Sequence, residues 1–337
     1  MRRLRFIWVD DKKEKVEPYR DVLQDGFGKR RAKVELLEVK DNVLQTLDDW
    51  SQENKTAPPD LIIIDHVFTL ALPFGLRGSS VAHLLRGLFP VTPMVCVTAM
   101  FDRPGSFDQE DISEYSALFL YQRLEDHIED LYAIAEGFRK LHAPKLRIRE
   151  HLIACTKAPP RDKADLLRVL PGEFQDKRHA ATEHRMASWI YNVLLARPGF
   201  LYDRLHAATL LGLTEAGFRK VEGMFGKAAY RGVFATQGTP HWWVSALRRI
   251  LFQLSADDGP DLPQHVGRAL PGIVPGDYSV CYVSKTSEPP PDAVVSTDAT
   301  RDAEQRVVRS EYADRHPSDP GTTPGFEARL VLRKRRK

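Results

Sequence analysis

The sequence predicts an α/β fold: a doubly wound, five-stranded parallel sheet, then a mainly helical region, then a β-rich tail. Three observations carry this. Short, nearly continuous apolar runs alternate with segments of helical apolar spacing over the first 143 residues, as strands covered by helices on both faces require. Two of those runs, LRFIWVDD and PDLIIIDH, end in acidic residues. Composition then shifts after about Ser255 towards proline, glycine and other loop formers.

The elements follow in order. LRFIWVDD is the first strand and KVELLEV the second. NVLQTLDDW reads as a helix, PDLIIIDH as the third strand and SSVAHLLRGL as the next helix. TPMVCV is the fourth strand, SALFLY the fifth, and LEDHIEDLYAIAEGFRKLH a long closing helix. In a parallel sheet the first and third strands deliver their last residues to one edge. Asp10, Asp11 and Asp65 therefore share the crevice where open α/β folds bind ligands. Crowded carboxylates repel unless a cation joins them or they are protonated, and hard divalent cations such as Mg2+ prefer oxygen ligands. Any one of these acids alone is explained as a cap or turn residue. The ordered set, with Thr98 following at the fourth strand end, makes chance a poorer explanation.

This segment resembles a response-regulator receiver domain, from about Arg3 to His142. VDD at Val9 to Asp11 is similar to the acidic pair that holds the family's metal, and IIID at Ile62 to Asp65 to the strand carrying the phospho-accepting aspartate. VTA at Val97 to Ala99 resembles the fourth strand, whose hydroxyl (here Thr98) contacts the phosphoryl group, and Phe119 stands where the family has an aromatic switch residue. The resemblance implies Mg2+ bound by Asp10, Asp11, Asp65 and the Val67 carbonyl, phosphorylation of Asp65, and a histidine kinase as the phosphoryl source.

The chain also departs from that pattern. The family's fifth strand ends in Lys-Pro, and the lysine pairs with the phosphorylated aspartate. Here the expected position holds Gln122, followed by Arg123, whose planar guanidinium differs from a lysine ammonium. The loop HVFTLALPFGLRGSS is long and apolar and reaches its helix-opening Gly78 thirteen positions after Asp65. These features imply a degenerate receiver, and phosphorylation of Asp65 and a silent pocket both remain open.

Length and composition bound the rest. The 337 residues predict two or three domains. Hydrophobic residues at 42% and charged residues at 28% fit a folded, soluble chain. No apolar run is long enough to span a bilayer, so no membrane partner is expected. The opening MRRLRFIWVDD enters a strand and lacks a cleavage pattern, which argues against a signal peptide. Cys96, Cys155 and Cys281 are far apart and form no CxxC, as expected for a reducing cytoplasm. A net charge of +3 is too small to establish a nucleic-acid partner. His179, His184 and His206 lack a metal-binding spacing.

Residues 144–199 read as a helical linker region. It contains an apolar helix, a break at Pro159 and Pro160, and an amphipathic helix ending at Pro198-Gly199. Trp189, Ile190, Val193 and Leu194 form the apolar face of that last helix, which serves as core or as a homodimer contact.

Residues 200–254 carry a second pattern. AATLLGLTEAGFRKVEGMF reads as helix, turn at Gly212, and a second helix capped by Thr214. YRGVFATQGTPHWWV alternates like a hairpin around Gly238 and Pro240, with Trp242 and Trp243 divided between core and surface. ALRRILFQL returns as a helix. The order resembles a winged-helix domain, which implies DNA contacts by Arg219 and Lys220 on the second helix and by Lys227 and Arg231 nearby. Glu215 and Glu222 dilute that helix's positive charge, and winged helices also bind proteins. Residues 255–337 read as a β-rich appendage or partly mobile tail, with strands at DYSVCYVSK and FEARLVLRKRRK. The terminal RKRRK is a solvated or phosphate-binding tail.

Together the two resemblances imply a cytoplasmic response regulator whose receiver controls a DNA-binding output for transcription regulation. The alternative is a protein-interaction adaptor with a pseudo-receiver in a signalling or defence assembly. An enzyme is the weakest reading, because no DxDxT arrangement, nucleophile elbow or P-loop is present.

Overall fold

The chain adopts the fold described by a computed structural model for residues 3–39, 42–68, 76–99, 114–142, 148–175, 182–236, 238–255, 263–282, 285, 293–295 and 306–309. Two compact units are present, one comprising residues 1–155 and 170–188, the other 156–169 and 189–337. The 144–199 region is thus divided between them. Among the described residues no helix is long and apolar enough to cross a membrane.

The first unit opens with β1 (Leu4–Asp10), α1 (Lys13–Arg31), β2 (Ala32–Glu38), α2 (Val43–Asn54) and β3 (Leu61–Asp65). It continues with α3 (Gly78–Leu88), β4 (Met94–Thr98), β5 (Ala117–Leu120), a 3-10 turn at Tyr121–His127, and α4 (Ile128–His142). The strands form one sheet in the order β2-β1-β3-β4-β5, every pairing parallel. This is the 2-1-3-4-5 order of doubly wound folds, whose strand order reverses between β1 and β3. Alternating side chains divide the strands between two layers. Ile7, Val9, Ile62, Ile64, Met94 and Cys96 pack with Val43 and Leu47 of α2 and Val81, Ala82 and Leu85 of α3. On the other face Phe6 meets Phe27 of α1 edge-on, with ring centroids 5.0 Å apart. The expected strands and helices therefore form, the strands with ends shifted by one or two residues; the helix after β2 runs four residues further, to Asn54, and the closing helix is α-helical only from Ile128.

The long loop after β3 begins with Val67–Phe68, which pairs antiparallel with Leu76–Arg77. Its apolar middle, residues 69–75, lies outside the described residues. The chain returns at Gly78, whose backbone N–H donates to the His66 carbonyl at 2.7 Å. A Cβ there would overlap the Asp65 carbonyl oxygen, so only glycine fits this approach.

The later helices are α5 (Ile148–Thr156), α6 (Pro160–Val169) and α7 (Thr182–Trp189), the last continuing as a π-helical turn over Ile190–Leu195. The break at Pro159-Pro160 falls between α5 and α6, as expected. Trp189, Ile190 and Leu194 are buried, whereas Val193 is exposed. The π turn explains this correction: an extra residue per turn rotates Val193 off the α-helical stripe.

The second unit contains β6 (Leu201–Tyr202), α8 (Arg204–Leu210), α9 (Glu215–Val221) with a 3-10 extension to Phe225, β7 (Trp242–Trp243) and α10 (Val244–Leu254). It continues with α11 (Pro263–Arg268), a 3-10 turn at Pro275–Asp277, and the antiparallel pair β8 (Ala293–Val295) and β9 (Val307–Arg309). Gly212 joins α8 to α9 with φ +67, a left-handed conformation that favours glycine. Thr214 caps α9 by accepting from the Gly217 N–H at 3.1 Å. β7 pairs antiparallel with β6 and, on its other side, bridges to Ala229.

Three expectations are corrected in this unit. Residues 231–236 and 238–240 are not strand; only the base of the expected hairpin pairs, through Tyr230 N–H to the His241 carbonyl at 2.7 Å. Trp242 and Trp243 are both buried. β7 is two residues long and leads directly into α10, and side chains cover both of its faces. Trp242 meets Phe218 edge-on and Trp243 packs beside Tyr230. DYSVCYVSK is not a strand over its described residues: it begins in the 3-10 turn and makes one bridge, Leu213 with Tyr278. FEARLVLRKRRK and RKRRK lie outside the described residues.

Candidate functional site

Parallel register builds the site. Val9 pairs with Ile64, so the next residues, Asp10 and Asp65, leave adjacent strands at the same level. Asp65 pairs with Val97, which places Thr98 one residue further along β4 at the same C-terminal edge. Asp10, Asp11 and Asp65 are all buried, and each offers an oxygen within 4.8 Å of the others. Thr98 is buried beside them in sequence register, at 2% exposure.

The pocket's hydrogen bonds are specific. Asp10 Oδ1 accepts the Lys12 backbone N–H at 2.8 Å, and Asp10 Oδ2 accepts the Tyr121 hydroxyl at 3.2 Å. Asp65 Oδ1 accepts the His66 N–H at 2.9 Å, and Asp65 Oδ2 accepts the Lys15 ammonium at 3.0 Å. Lys15 stands in the first turn of α1 and crosses the Tyr121 ring, its nitrogen 4.7 Å from the centroid. Tyr121 in turn stacks on Trp8 at 5.9 Å and touches Tyr19 at 4.9 Å. Burial first, then the neighbouring Asp65 charge, raises the Asp10 carboxyl to about 7. Burial and the same two aspartates push the Tyr121 hydroxyl above its ordinary range, so it stays a neutral donor.

The donor set is all-oxygen, acidic and buried, and oxygen ligands are what hard divalent cations prefer. Asp10, Asp11 and Asp65 can hold a divalent cation.

The other sequence-derived residues are placed as follows. Val67 follows β3 in the short loop ladder, with its side chain exposed. Phe119 is buried on β5 against His127, with rings 4.9 Å apart. Gln122 and Arg123 are exposed on the 3-10 turn, and the residue delivered to the pocket is Tyr121. The physical reason is register: β5 ends at Leu120 opposite Thr98, so the first residue beyond the strand turns inward. Arg219, Lys220, Lys227 and Arg231 do not converge in the same way. Arg219 and Lys227 are exposed, and Arg231 donates to the Gly226 carbonyl at 3.3 Å. Lys220 is ion-paired with Asp277 at 2.7 Å, which holds the Asp277 carboxyl below its ordinary range.

Sequence reading passed over Lys15 and Tyr121. A signal for Lys15 was available, because the first turn of a helix that follows a β1 acidic pair lies over the strand ends. Tyr121 could be found only by fixing where β5 stops.

No family model and no curated protein matches the chain. Solved structures similar to it include a CheY-like response regulator receiver domain protein from Methanospirillum hungatei JF-1, at 14% identity and TM-score 0.30, covering 40% of this chain and 98% of that one. The response regulator ChrA of a heme-sensing two-component system matches at 17% identity and TM-score 0.30, covering 58% of this chain and 92% of that one. The Mn2+-bound response regulator Rcp1 matches at 16% identity and TM-score 0.25, covering 42% and 96% respectively. The strand order and the pocket geometry, not these distant likenesses, carry the receiver-like description of the first unit.

Proposed function

We propose that this chain is a response-regulator-like signalling protein in which the receiver-like unit controls an output module in the second unit. One observation carries the reading: three buried carboxylates from β1 and β3 meet at the C-terminal edge of a 2-1-3-4-5 sheet, beside the Thr98 position. In this reading Asp65 accepts a phosphoryl group from a histidine kinase. Asp10, Asp11 and Asp65, with the Val67 carbonyl, hold Mg2+. The cation supplies charge neutralisation for phosphoryl transfer. Asp65 contributes the attacking carboxylate oxygen and Thr98 the hydroxyl beside the phosphoryl oxygens.

The output reading is a winged helix that binds DNA in the cytoplasm for transcription regulation. It is supported by two helices joined at Gly212 and by three antiparallel segments in which β7 lies between β6 and residue 229. Two observations favour an adaptor that binds protein instead: Lys220 is already neutralised by Asp277, and α9 carries Glu215.

The pocket is tested by incubating the full chain with Mg2+ and a small acyl phosphate and locating phosphoaspartate by mass spectrometry. Slow labelling at Asp65, absent in Asp65→Asn, is expected. Absence of any phosphoaspartate, or labelling that persists in Asp65→Asn, defeats the phospho-acceptor assignment.

A further inference from the structure

We infer that Lys15 is a built-in counter-ion for Asp65, one that a divalent cation must displace in order to bind. The inference rests on the reading of the pocket as a cation site, and it goes beyond that reading by naming the group that guards it.

Both oxygens of Asp65 already have donors, His66 N–H on Oδ1 and Lys15 Nζ on Oδ2. The two donors differ in kind. The His66 amide is fixed by the backbone. The Lys15 ammonium reaches in from α1, with its side chain 41% exposed while that of Asp65 is 7% exposed. Three buried carboxylates without compensation would be costly, and one ammonium offsets one of their charges. A divalent ion bonded to Asp65 offsets two charges and repels an ammonium held at the same carboxylate.

Lys15 can leave at little cost. Its charge sits on a flexible four-carbon stem, is strongly hydrated and already touches solvent. Tyr121 cannot follow it, because its ring is stacked on Trp8 and its hydroxyl is committed to Asp10. Among the described residues the pocket therefore has a movable wall, Lys15, and a fixed wall, Tyr121. Its resting arrangement pairs Lys15 with Asp65, and its cation-bound arrangement turns Lys15 out to water.

The test uses the full chain with Mg2+ and with Mn2+ alone. By calorimetry, Lys15→Met is expected to bind either ion about fivefold more tightly than the wild type, the size of effect a half-exposed ion pair can exert. Asp65→Asn should lose most of the binding in both backgrounds. A second measurement needs no substitution at Lys15. Acylation of Lys15, followed by mass spectrometry relative to Lys13 on the same helix, should speed up when Mg2+ is added. In Asp65→Asn it should be fast with or without the ion. Equal or weaker cation binding by Lys15→Met, or Lys15 reactivity that Mg2+ leaves unchanged, overturns the inference while leaving the cation pocket standing. Failure of wild type and Lys15→Met alike to bind either ion overturns both.

Discussion

The two units handle charge in opposite ways. In the first, sheet topology gathers acids from positions 10, 11 and 65 into one buried pocket and sets Lys15 against them. In the second, basic residues lie along the exposed face of α9 and the loop after it, and the best placed of them, Lys220, is neutralised by Asp277. Parallel strands must end at a common edge, so their last residues converge whether or not their charges agree. A surface helix imposes no such convergence. Concentrated like charge is therefore the stronger functional signal, because the fold must tolerate its cost.

Glycine substitutions probe this contrast with the largest expected effect. At Gly78 a Cβ overlaps the Asp65 carbonyl oxygen and comes within 2.8 Å of the Tyr115 hydroxyl. At Gly217 it meets Asp277, with the Cβ 2.8 Å and the carbonyl oxygen 2.9 Å away, in a short 3-10 turn. The backbone behind Gly78 belongs to a central strand and cannot yield. Gly78→Ala should destabilise the chain by about 2–4 kcal/mol in urea unfolding, and Gly217→Ala by roughly half of that. A Gly217 variant that costs as much as the Gly78 variant would show the second unit's packing to be as rigid as the sheet edge, and the contrast would break.

Legibility followed the same division. The five strands and the acidic cluster were readable because a buried parallel strand is a short apolar run with a defined end. Lys15 becomes legible only once the topology is known: its place in the first turn of α1, over the strand ends, is the signal, and nothing in KEKVEPYR marks it by itself. Tyr121 was hidden by uncertainty of one residue in where β5 stops, enough to move attention to Gln122. Trp242 and Trp243 were misread because two-residue alternation assumes one solvent-facing side, which β7 lacks. Arg219 and Lys220 were correctly found on a helix. The partner of Lys220 lies 57 residues further on, beyond the reach of local pattern.

A histidine sharpens the comparison at intermediate size. His184 Nδ1 faces the Arg86 guanidinium at 3.1 Å, and its ring packs edge-on against Phe138. Burial first, then Arg86, lowers its pKa to about 4. The unfolded chain protonates this histidine near pH 6.5, whereas the folded chain resists protonation until about pH 4. Stability attributable to His184 is thus intact above the unfolded value and declines as pH falls from 6.5 to 4. The slope should approach about 1.4 kcal/mol per pH unit. His184→Gln keeps an acceptor for Arg86 without titrating, so the difference between wild type and variant should widen over that window and level off below it. A constant difference across the window would show that the ring is hydrated and that Arg86 does not oppose its charge.

The smallest effect tests whether α9 presents charge to a nucleic acid at all. Asp277 holds Lys220 at 2.7 Å and also accepts the Val274 N–H at 3.0 Å, closing the 3-10 turn on the helix. Asp277→Asn retains an oxygen for Val274 but removes the negative charge, leaving Lys220 an uncompensated cation beside Arg219. If the helix faces DNA, the variant should bind duplex more tightly at low salt. Its log-log salt dependence should also steepen by about one counterion, because one more ammonium then neutralises a phosphate. Thermal stability should change little, since the backbone contacts of Asp277 with Thr214 are untouched. The paired control is Arg219→Glu in the same background, which should return the slope towards that of the wild type. A slope unchanged by Asp277→Asn means that phosphates do not reach this flank of α9. The output would then lie with a protein partner, and the ion pair with Asp277 would be the resting state of an interaction surface rather than a restrained DNA reader.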